Sequence, residues 1–355
     1  MTVTGGASGG HAWRMPAEWE PHEATWIAWP HNRTDWPGKF APIPWVFGEI
    51  VRALAAGEKV RILVNSADHE HQARRLLSRI GAAEVEFFRI PTDRAWVRDF
   101  GPIFVQSHGA ELAVAGFRFN AWAKYPDYHR DYRVAERVAR TFKRAYVPAR
   151  LKGKKVVLEG GSIDVNGRGS LLTTEECLLD KAVQPRNPQL ERQDIEEVLR
   201  DSFGVTNVLW LANGIAGDDT HGHVDDLCRF VASDTVALCQ ERDPNDANYR
   251  ALQENRERLE DYRLADGSRV RVVFLPMPRP LFMDSRRLPA SYANFYVANN
   301  VVLVPTFNDP SDRVALGILA DLFKGRAVVG IHAVDLVWGL GTLHCLTQQQ
   351  PWESS

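Results

Sequence analysis

Apolar and polar positions follow two periods along the chain, one typical of helices and one typical of strands. Apolar residues three or four positions apart predict helices over residues 44–56, 68–80, 132–146, 190–203, 244–263 and 310–323. Short apolar and β-branched runs predict strands over residues 25–29, 60–64, 85–90, 103–106, 112–119, 155–158, 163–165, 170–173, 207–211, 227–231, 236–239, 270–275, 291–299, 301–305 and 327–331. Strands and helices therefore alternate along the chain, which predicts the α/β class.

Strands, a polar loop and a helix return in the same order about five times, at a spacing of roughly 60–70 residues. Each round carries a polar loop, near Asp99, Glu159, His223, residues 294–300 and Cys345. A repeat of this length predicts radial or stacked repetition rather than one open sheet. Because no linker or change of composition interrupts it, we expect one domain over residues 13–355, after a disordered lead-in over residues 1–12.

The composition is that of an ordinary globular protein, with 45% hydrophobic and 25% charged residues among 355. A net charge of −2 gives no indication of a nucleic-acid or membrane partner. No apolar run reaches the roughly 18 residues of a membrane span, and the first residues lack a signal-peptide pattern. The four cysteines form no Cys-x-x-Cys pair, which predicts reduced thiols, a cytoplasmic location and no structural zinc site. The sequence leaves homo-oligomerisation open.

Residues 216–226 concentrate four acids and two histidines, next to the strand predicted over residues 227–231. If that strand extends backwards, His223 and Asp225 share one face, because side chains two apart on a strand point the same way. This acid–base pair needs a nucleophile, and Cys345 supplies a thiol. On a strand the side chain of His344 would point away from that of Cys345, so His223 is the better partner for the thiol.

Each of these groups also has a purely structural interpretation. A single cysteine such as Cys345 is commonly a small buried apolar residue. Asp99 can form a surface pair with Arg98, and Glu159 followed by two glycines can form a simple turn. These alternatives stay open when each motif is taken alone.

Six short motifs occur in order between about residues 15 and 352, and together they are far more specific than any one of them. They are Met15-Pro-Ala-Glu-Trp-Glu-Pro-His22, Trp96-x-Arg-Asp-x-Gly-Pro102, Leu158-Glu-Gly-Gly161, Gly222-His-Val-Asp225, Ser291-Tyr-x-Asn-Phe-Tyr296 and His344-Cys-x-Thr-Gln-Gln-Gln-Pro351. In these motifs the chain resembles the agmatine deiminase family, which is grouped with the bacterial-type peptidylarginine deiminases in the guanidino-group-modifying superfamily.

The resemblance implies a five-bladed α/β-propeller of ββαβ modules, the pentein fold, around a central site. It implies Cys345 as nucleophile, His223 as general acid and base, and catalytic carboxylates at Asp99, Glu159 and Asp225. The reaction it implies converts a small alkylguanidine, agmatine first, to a ureido product and ammonia through a covalent thiouronium intermediate. It implies neither a metal nor an organic cofactor.

Three places in the chain depart from the usual pattern of that family. His221 stands where Asp or Asn is typical, Thr342 replaces an Asn, and residues 305–308 read Pro-Thr-Phe-Asn instead of Pro-Gln-Phe-Gly. We therefore expect a changed pocket for the substrate's tail, with Trp96, Asp219, His221 and Thr342 as candidate substrate-binding residues. The added imidazole favours a neutral or anionic tail over agmatine's ammonium, although Asp219 can still receive an amine.

Three other functions are consistent with the sequence. The substrate can be another guanidine, such as an arginine derivative or peptidylarginine. The protein can instead be a metal-dependent amidino or amide hydrolase, because His221, His223 and Asp225 are residue types that bind transition metals. It can also be a catalytically inactive protein that binds guanidines.

Overall fold

The computed structural model describes residues 13–82 and 85–353. Over these residues the α-helices are α1 (Ile43–Ala55), α2 (Ala67–Arg79), α3 (Val97–Phe100), α4 (Val134–Thr141), α5 (Glu175–Leu178), α6 (Arg192–Phe203), α7 (Tyr249–Asp261) and α8 (Ser311–Leu322). The strands are β1 (Trp13–Arg14), β2 (His22–Ala28), β3 (Lys59–Leu63), β4 (Glu86–Phe88), β5 (Ile103–Ser107), β6 (Leu112–Gly116), β7 (Ala145–Pro148), β8 (Arg150–Leu151), β9 (Lys154–Lys155), β10 (Asp164–Val165), β11 (Ser170–Thr174), β12 (Asn207–Leu211), β13 (Cys228–Ala232), β14 (Thr235–Gln240), β15 (Arg271–Pro276), β16 (Phe282–Met283), β17 (Arg286–Arg287), β18 (Tyr296–Val297), β19 (Val301–Thr306), β20 (Ala327–His332) and β21 (Gln348–Pro351).

Most of the described strands belong to five small sheets. In strand order these are β21-β2-β3-β4, β1-β5-β6-β7, β10-β11-β12, β13-β14-β15 and β18-β19-β20. Each contains an antiparallel pair followed by a helix that crosses to a parallel strand, as α6 does between β11 and β12. A parallel neighbour requires such a crossover connection. The five sheets therefore confirm the mixed α/β class and the ββαβ modules expected of a five-bladed α/β-propeller.

The sheet that contains β2 is completed from the far end of the sequence. β21 pairs antiparallel with β2, with Trp26 opposite Gln348. The indole of Trp26 also donates a hydrogen bond to Gln350 Oε1 (3.0 Å). Because β21 begins three residues after Cys345, this pairing fixes the chain close to that thiol. Cys345 itself lies in the largest buried apolar cluster, which includes Trp36 and Trp96.

Local chemistry explains where the long helices begin and end. The hydroxyl of Ser66 accepts the backbone N–H of His69 (3.1 Å) at the start of α2, which is a typical helix cap. Glu191 and Asp194 form a reciprocal capping box at the start of α6, and Gly204 closes that helix in the left-handed conformation (φ 67°). The face of α6 that carries apolar residues is buried, as its period predicts.

Several predicted elements are wrong in extent; the helix predicted over residues 244–263, for example, begins only at Tyr249. The helix predicted over residues 132–146 ends at Thr141, because Lys143 adopts a left-handed conformation (φ 53°) and Ala145–Pro148 pairs with β6. The strand predicted over residues 291–299 is limited to Tyr296–Val297. Residues 155–158 contribute the end of β9 and an isolated bridge at Val157 instead of a continuous strand.

Within residues 13–82 and 85–353, no helix combines the length and the apolar composition that crossing a bilayer requires. The single domain over residues 13–355 stays a prediction, as does the question of self-association. The disordered lead-in predicted over residues 1–12 lies outside the described residues.

Candidate active site

Cys345 lies in a turn immediately before β21 and is 5% exposed. Its Sγ lies 3.2 Å from the side-chain amide nitrogen of Asn294, which donates to it, and 4.0 Å from Asp225 Oδ2. A Cβ added at Gly341 would lie only 2.8 Å from the Trp96 ring. Glycine at position 341 therefore allows the indole and the chain that carries the thiol to approach each other closely.

Three carboxylates from separate parts of the chain surround one imidazole. Asp99 lies in α3, Glu159 precedes a short 3-10 turn, and Asp225 lies in the 3-10 turn Val224–Asp226. His223 Nδ1 is 3.7 Å from Asp99 Oδ1 and 3.9 Å from Asp225 Oδ1. His223 Nε2 is 3.6 Å from Glu159 Oε2. These four residues and Cys345, the five predicted catalytic residues, thus lie in one group.

The backbone around His223 differs from the sequence-based expectation. The strand expected to carry His223 and Asp225 begins only at Cys228, as β13. A tight turn, and not the alternation of a strand, brings the two side chains to the same place. The prediction of a shared strand face is therefore wrong, although the proximity it predicted is present.

The glycine pair after Glu159 makes room for the charged side chains. A Cβ added at Gly161 would lie 2.6 Å from His223 Nδ1 and 2.8 Å from Asp99 Oδ1. The backbone N–H of Gly161 donates to Asp99 Oδ1 (3.1 Å). Any larger residue at position 161 would occupy the space in which the acids and the imidazole meet, so the Gly-Gly sequence is more than a turn.

Four buried polar atoms at the centre of the group have no hydrogen-bond partner among the described residues. They are both ring nitrogens of His223, Glu159 Oε2 and Asp225 Oδ1. Their separations of 3.6–3.9 Å exceed hydrogen-bond length. Buried carboxylate oxygens are normally paired, so Glu159 Oε2 and Asp225 Oδ1 fit a ligand that brings N–H donors.

A cavity of about 400 Å³ borders Cys345. Three aromatic residues, Trp96, Trp122 and Tyr125, line it together with five charged side chains. The indole N–H of Trp122 donates to Asp99 Oδ2 (2.9 Å). A concave cavity that combines aromatic walls with polar groups is typical of a small-molecule site.

The family model described as Porphyromonas-type peptidyl-arginine deiminase matches residues 14–351. The chain belongs to this family. Among curated proteins, an agmatine deiminase of Pseudomonas aeruginosa is 37% identical, and the alignment covers 95% of each chain. An agmatine deiminase structure from Enterococcus faecalis aligns with a TM-score of 0.89 and 32% identity, covering 98% of this chain and 99% of that one. A structure of a C. jejuni agmatine deiminase with substrate bound aligns with a TM-score of 0.86 and 31% identity over 99% of each chain.

Burial controls the acidity of the thiol in this peptidyl-arginine deiminase family member. Burial raises the pKa of Cys345 well above its usual value, and the negative charges of Asp225, Asp226 and Asp99 raise it further. Burial also raises the pKa of Asp99 to about 6, although His223 opposes that shift. The thiol therefore stays protonated until a positive charge enters the cavity.

Neighbouring charges shift the pKa values of His223 and Glu159 so that both groups favour their charged forms. Burial alone would lower the pKa of His223, but the charge of Asp99 and contacts with Cys177 and Glu159 raise it well above the usual value. Burial would raise the pKa of Glu159, but the adjacent Arg186 guanidinium and His223 hold it below the usual value. An imidazolium beside a carboxylate can both donate a proton and keep Glu159 ionised.

The four candidate substrate-binding residues of this family member have different surroundings. Trp96 and Asp219 line the cavity. His221 and Thr342 are not among the lining residues, because His221 faces Glu176 (3.5 Å) and Asp180 (3.4 Å), and Thr342 is buried. The hydroxyl of Thr342 donates to the Asn294 side-chain oxygen (2.7 Å), so it contacts a residue beside Cys345 instead of the cavity.

Several residues that hold the site together were not singled out from the sequence. His344 Nδ1 lies 2.6 Å from Asp225 Oδ2, and its Nε2 lies 2.8 Å from Glu18 Oε2. Arg186 Nε donates to Glu159 Oε1 (3.2 Å). Glu18, Asn294 and His344 belong to the six motifs, which could have indicated their importance. Arg186 lies outside the motifs and carries no comparable signal.

Proposed function

We propose that this protein is a guanidine deiminase that hydrolyses agmatine to N-carbamoylputrescine and ammonia. The observation that carries the proposal is the grouping of the Cys345 thiol with buried carboxylates, two of which, Glu159 and Asp225, each have an oxygen without a partner among the described residues. A guanidinium ion is planar, cationic and ringed with N–H donors, so it complements a group of carboxylates. The curated and solved relatives that are named agmatine deiminases support agmatine as the first substrate to test.

The carboxylates divide the binding of the guanidinium among them. Asp99 and Asp225 accept N–H donors along its edge, and Glu159 accepts another. With the edge of the cation held by these acids, the face of its carbon stays open to the Cys345 sulfur. Binding also satisfies buried carboxylate oxygens that have no partner among the described residues, which contributes to affinity.

The substrate itself activates the nucleophile. Burial and three carboxylates raise the pKa of Cys345, so without a cation beside it the sulfur is a thiol. A guanidinium beside it supplies the missing positive charge, lowers that pKa and lets the proton leave for solvent. The thiolate then forms where it is needed, next to the electrophilic carbon.

The reaction proceeds in two balanced halves. The thiolate adds to the guanidinium carbon, and His223 donates a proton to the departing nitrogen, which leaves as ammonia and gives an S-alkylthiouronium. His223, now neutral, takes a proton from a water molecule that attacks the same carbon. Collapse of this second adduct breaks the C–S bond, releases the ureido product and returns the thiol, with no change in oxidation state.

Agmatine turnover and a pair of cysteine variants test this function. The protein should release ammonium and ureido product in equal amounts, and Cys345→Ala should lower the rate roughly a thousandfold or more while agmatine still binds. Cys228→Ala is the matched control, because Cys228 is a buried thiol in β13. Turnover that survives in Cys345→Ala would exclude the thiol mechanism, and binding without turnover in the wild type would favour an inactive guanidine-binding protein.

A second candidate substrate is a guanidine with an anionic tail, and one observation favours it. Asp219, which was expected to receive an amine, already accepts hydrogen bonds from Lys124 Nζ (2.6 Å), Tyr125 Oη (2.6 Å) and Arg286. Both of its oxygens are engaged, and two cations lie beside it. A carboxylate tail would meet those cations, whereas agmatine's ammonium would have to displace them.

A substrate panel separates the two candidates. Agmatine, arginine, 4-guanidinobutyrate and an arginyl peptide are compared by kcat/KM. Lys124→Ala should lower kcat/KM for 4-guanidinobutyrate if the anionic tail is correct, and should raise it for agmatine if the released Asp219 binds the amine. The arginyl peptide tests whether a peptide-bound guanidine reaches Cys345 at all.

A further inference from the structure

A second buried thiol lies beside the predicted general acid and base. Cys177 belongs to α5, and its backbone N–H donates to Thr174 Oγ1 (3.1 Å), whose hydroxyl in turn donates to the Gly222 carbonyl (2.5 Å). These bonds hold α5 against the residue that precedes His223. One ligand atom each from Glu159, Cys177 and His223 lie within 4.8 Å of one another, and all three residues are buried.

Two of these three residues present atoms that nothing else engages. His223 Nε2 and Glu159 Oε2 are buried and have no hydrogen-bond partner among the described residues. The other Glu159 oxygen is held by Arg186 (3.2 Å), which fixes the carboxylate so that Oε2 faces the imidazole. The cluster is therefore a thiol with two free donor atoms beside it, and not an isolated cysteine.

The spacing of the free atoms matches a metal ion better than a hydrogen bond. His223 Nε2 and Glu159 Oε2 are 3.6 Å apart. In a tetrahedral zinc site with Zn–N and Zn–O bonds of about 2.0–2.2 Å, these two atoms would be roughly 3.3–3.5 Å apart. A thiolate, an imidazole and a carboxylate are also the ligand types that zinc prefers.

We propose that Glu159, Cys177 and His223 form a site for a thiophilic divalent cation such as Zn²⁺, and that the cation inhibits the enzyme. On binding, the Cys177 thiol and the His223 imidazolium each lose a proton to solvent, and the Cys177 sulfur forms a bond to the metal, with no change of oxidation state. His223 Nε2 and Glu159 Oε2 supply two further bonds, and a water molecule completes the tetrahedron. The metal is an inhibitor here and takes no part in turnover.

Inhibition follows because the metal binds residues that the reaction needs. This part of the inference rests on the proposed deiminase function. A metal on His223 Nε2 engages the lone pair that would otherwise accept a proton from water. The same ion takes Glu159 away from the guanidinium, and the two cations repel each other in a buried site. Zinc and agmatine should therefore compete.

A second cluster is the main rival for the metal. Ligand atoms of Asp225, Asp226 and Cys345 also lie within 4.8 Å of one another. However, Asp226 accepts a hydrogen bond from Asn294 (2.9 Å), and Asp225 Oδ2 lies 2.6 Å from His344 Nδ1. This cluster also lacks a free imidazole, so it suits zinc less well.

Cadmium titration of two variants distinguishes the clusters without any activity measurement. Cd²⁺ bound to a thiolate produces an ultraviolet charge-transfer band. Cys345→Ala should keep this band at one Cd²⁺ per chain, and Cys177→Ala should lose it, with Cys177→Ser as a second variant that keeps the space filled. A band that survives in both Cys177 variants, or that disappears in Cys345→Ala, would overturn the assignment.

Zinc inhibition tests the functional consequence. Zn²⁺ should inhibit the wild type competitively with agmatine, and a chelator should restore the rate. Cys177→Ala should raise the zinc inhibition constant at least about tenfold, measured against that variant's own metal-free rate, and the control Cys228→Ala should behave as the wild type. If no guanidine is turned over but the cadmium band depends on Cys177, the metal site stands and the deiminase function fails. If turnover is normal and insensitive to zinc, the inhibitory site is refuted.

Discussion

Replacing Asp99 with asparagine perturbs both binding and pH dependence, and each effect can be worked out from the structure. Asp99 Oδ1 lies 3.7 Å from His223 Nδ1, and both residues are buried. Losing one partner of a buried charge pair costs about 2–5 kcal/mol, which corresponds to roughly a 30-fold to several-thousand-fold loss in kcat/KM. The loss should fall on guanidine substrates generally, because in the proposed binding mode Asp99 accepts N–H donors from the group that they share.

The same substitution should remove a pH dependence. Burial raises the pKa of Asp99 from 3.8 to about 6, so the carboxylate that binds the guanidinium forms only as the pH rises through about 6. In the wild type, kcat/KM for agmatine should therefore fall below about pH 6. The Asp99→Asn variant has no such group and should lose that acidic limb.

The free energy of unfolding should fall over the same pH range in which kcat/KM rises. A carboxyl whose pKa is higher in the folded state than in the unfolded state binds its proton more tightly when folded, so stability falls as the pH rises between the two values. The shift from 3.8 to about 6 corresponds to about 3 kcal/mol across that window. The wild type should therefore lose about 3 kcal/mol relative to Asp99→Asn between about pH 4 and pH 7.

The assay combines pH profiles of kcat/KM with denaturant unfolding at the same pH values. The slope m of the unfolding free energy against denaturant concentration is compared as well, because a change in m would mean that more than stability has changed. Asp131→Asn is the matched control: Asp131 is fully buried and accepts the backbone N–H of Asp93 (2.7 Å), but it does not line the cavity. It should keep the acidic limb. An unchanged acidic limb in Asp99→Asn, or activity close to wild type at neutral pH, would show that the Asp99 carboxylate does not bind the guanidinium.

Two other substitutions probe the geometry around these acids. Gly161→Ala places a Cβ 2.6 Å from His223 Nδ1 and should lower kcat/KM about a hundredfold or more. The control Gly317→Ala, in α8, meets no atom within 4 Å and should leave kcat/KM unchanged while raising stability by about 0.5–1 kcal/mol. Equal kinetics in the two variants would show that close packing at position 161 does not matter. Glu18 holds His344, which in turn holds Asp225, so Glu18→Gln should raise KM for agmatine more than it lowers kcat. Glu18→Asp should restore part of the lost affinity. A loss of stability without a change in KM would show that Glu18 has only a structural role.

The repeat of strands and helices was readable from the sequence because each module buries one helix face and a short apolar sheet. The helices α2 and α6 also have ends set by local caps, which is why their predicted limits nearly match. The region after Thr141 was misjudged because a left-handed residue at Lys143 and pairing of β7 with β6 override a continuing helical pattern. The end of this helix therefore depends on tertiary contacts and not on local propensity.

For the candidate site, too, the sequence predicted some features and not others. The residues that carry charge and chemistry stood out, since the thiol, the imidazole and the three acids each lie in a polar loop. Their mutual geometry depended on contacts between residues far apart in sequence, such as Glu18 with His344 and Arg186 with Glu159. The substrate-tail residues were the least predictable, because His221 and Thr342 differ from the family pattern without lining the cavity.

The central claim is that the sulfur of Cys345 attacks the carbon of a guanidinium held by Asp99, Glu159 and Asp225. Rapid acid quenching of a single turnover with agmatine, followed by peptide mass spectrometry, tests it most directly. Attack by Cys345 should leave a transient adduct with the mass of agmatine minus ammonia on the peptide that contains this residue. An adduct on Cys177 or on any other residue, or turnover that persists in Cys345→Ala, would contradict it.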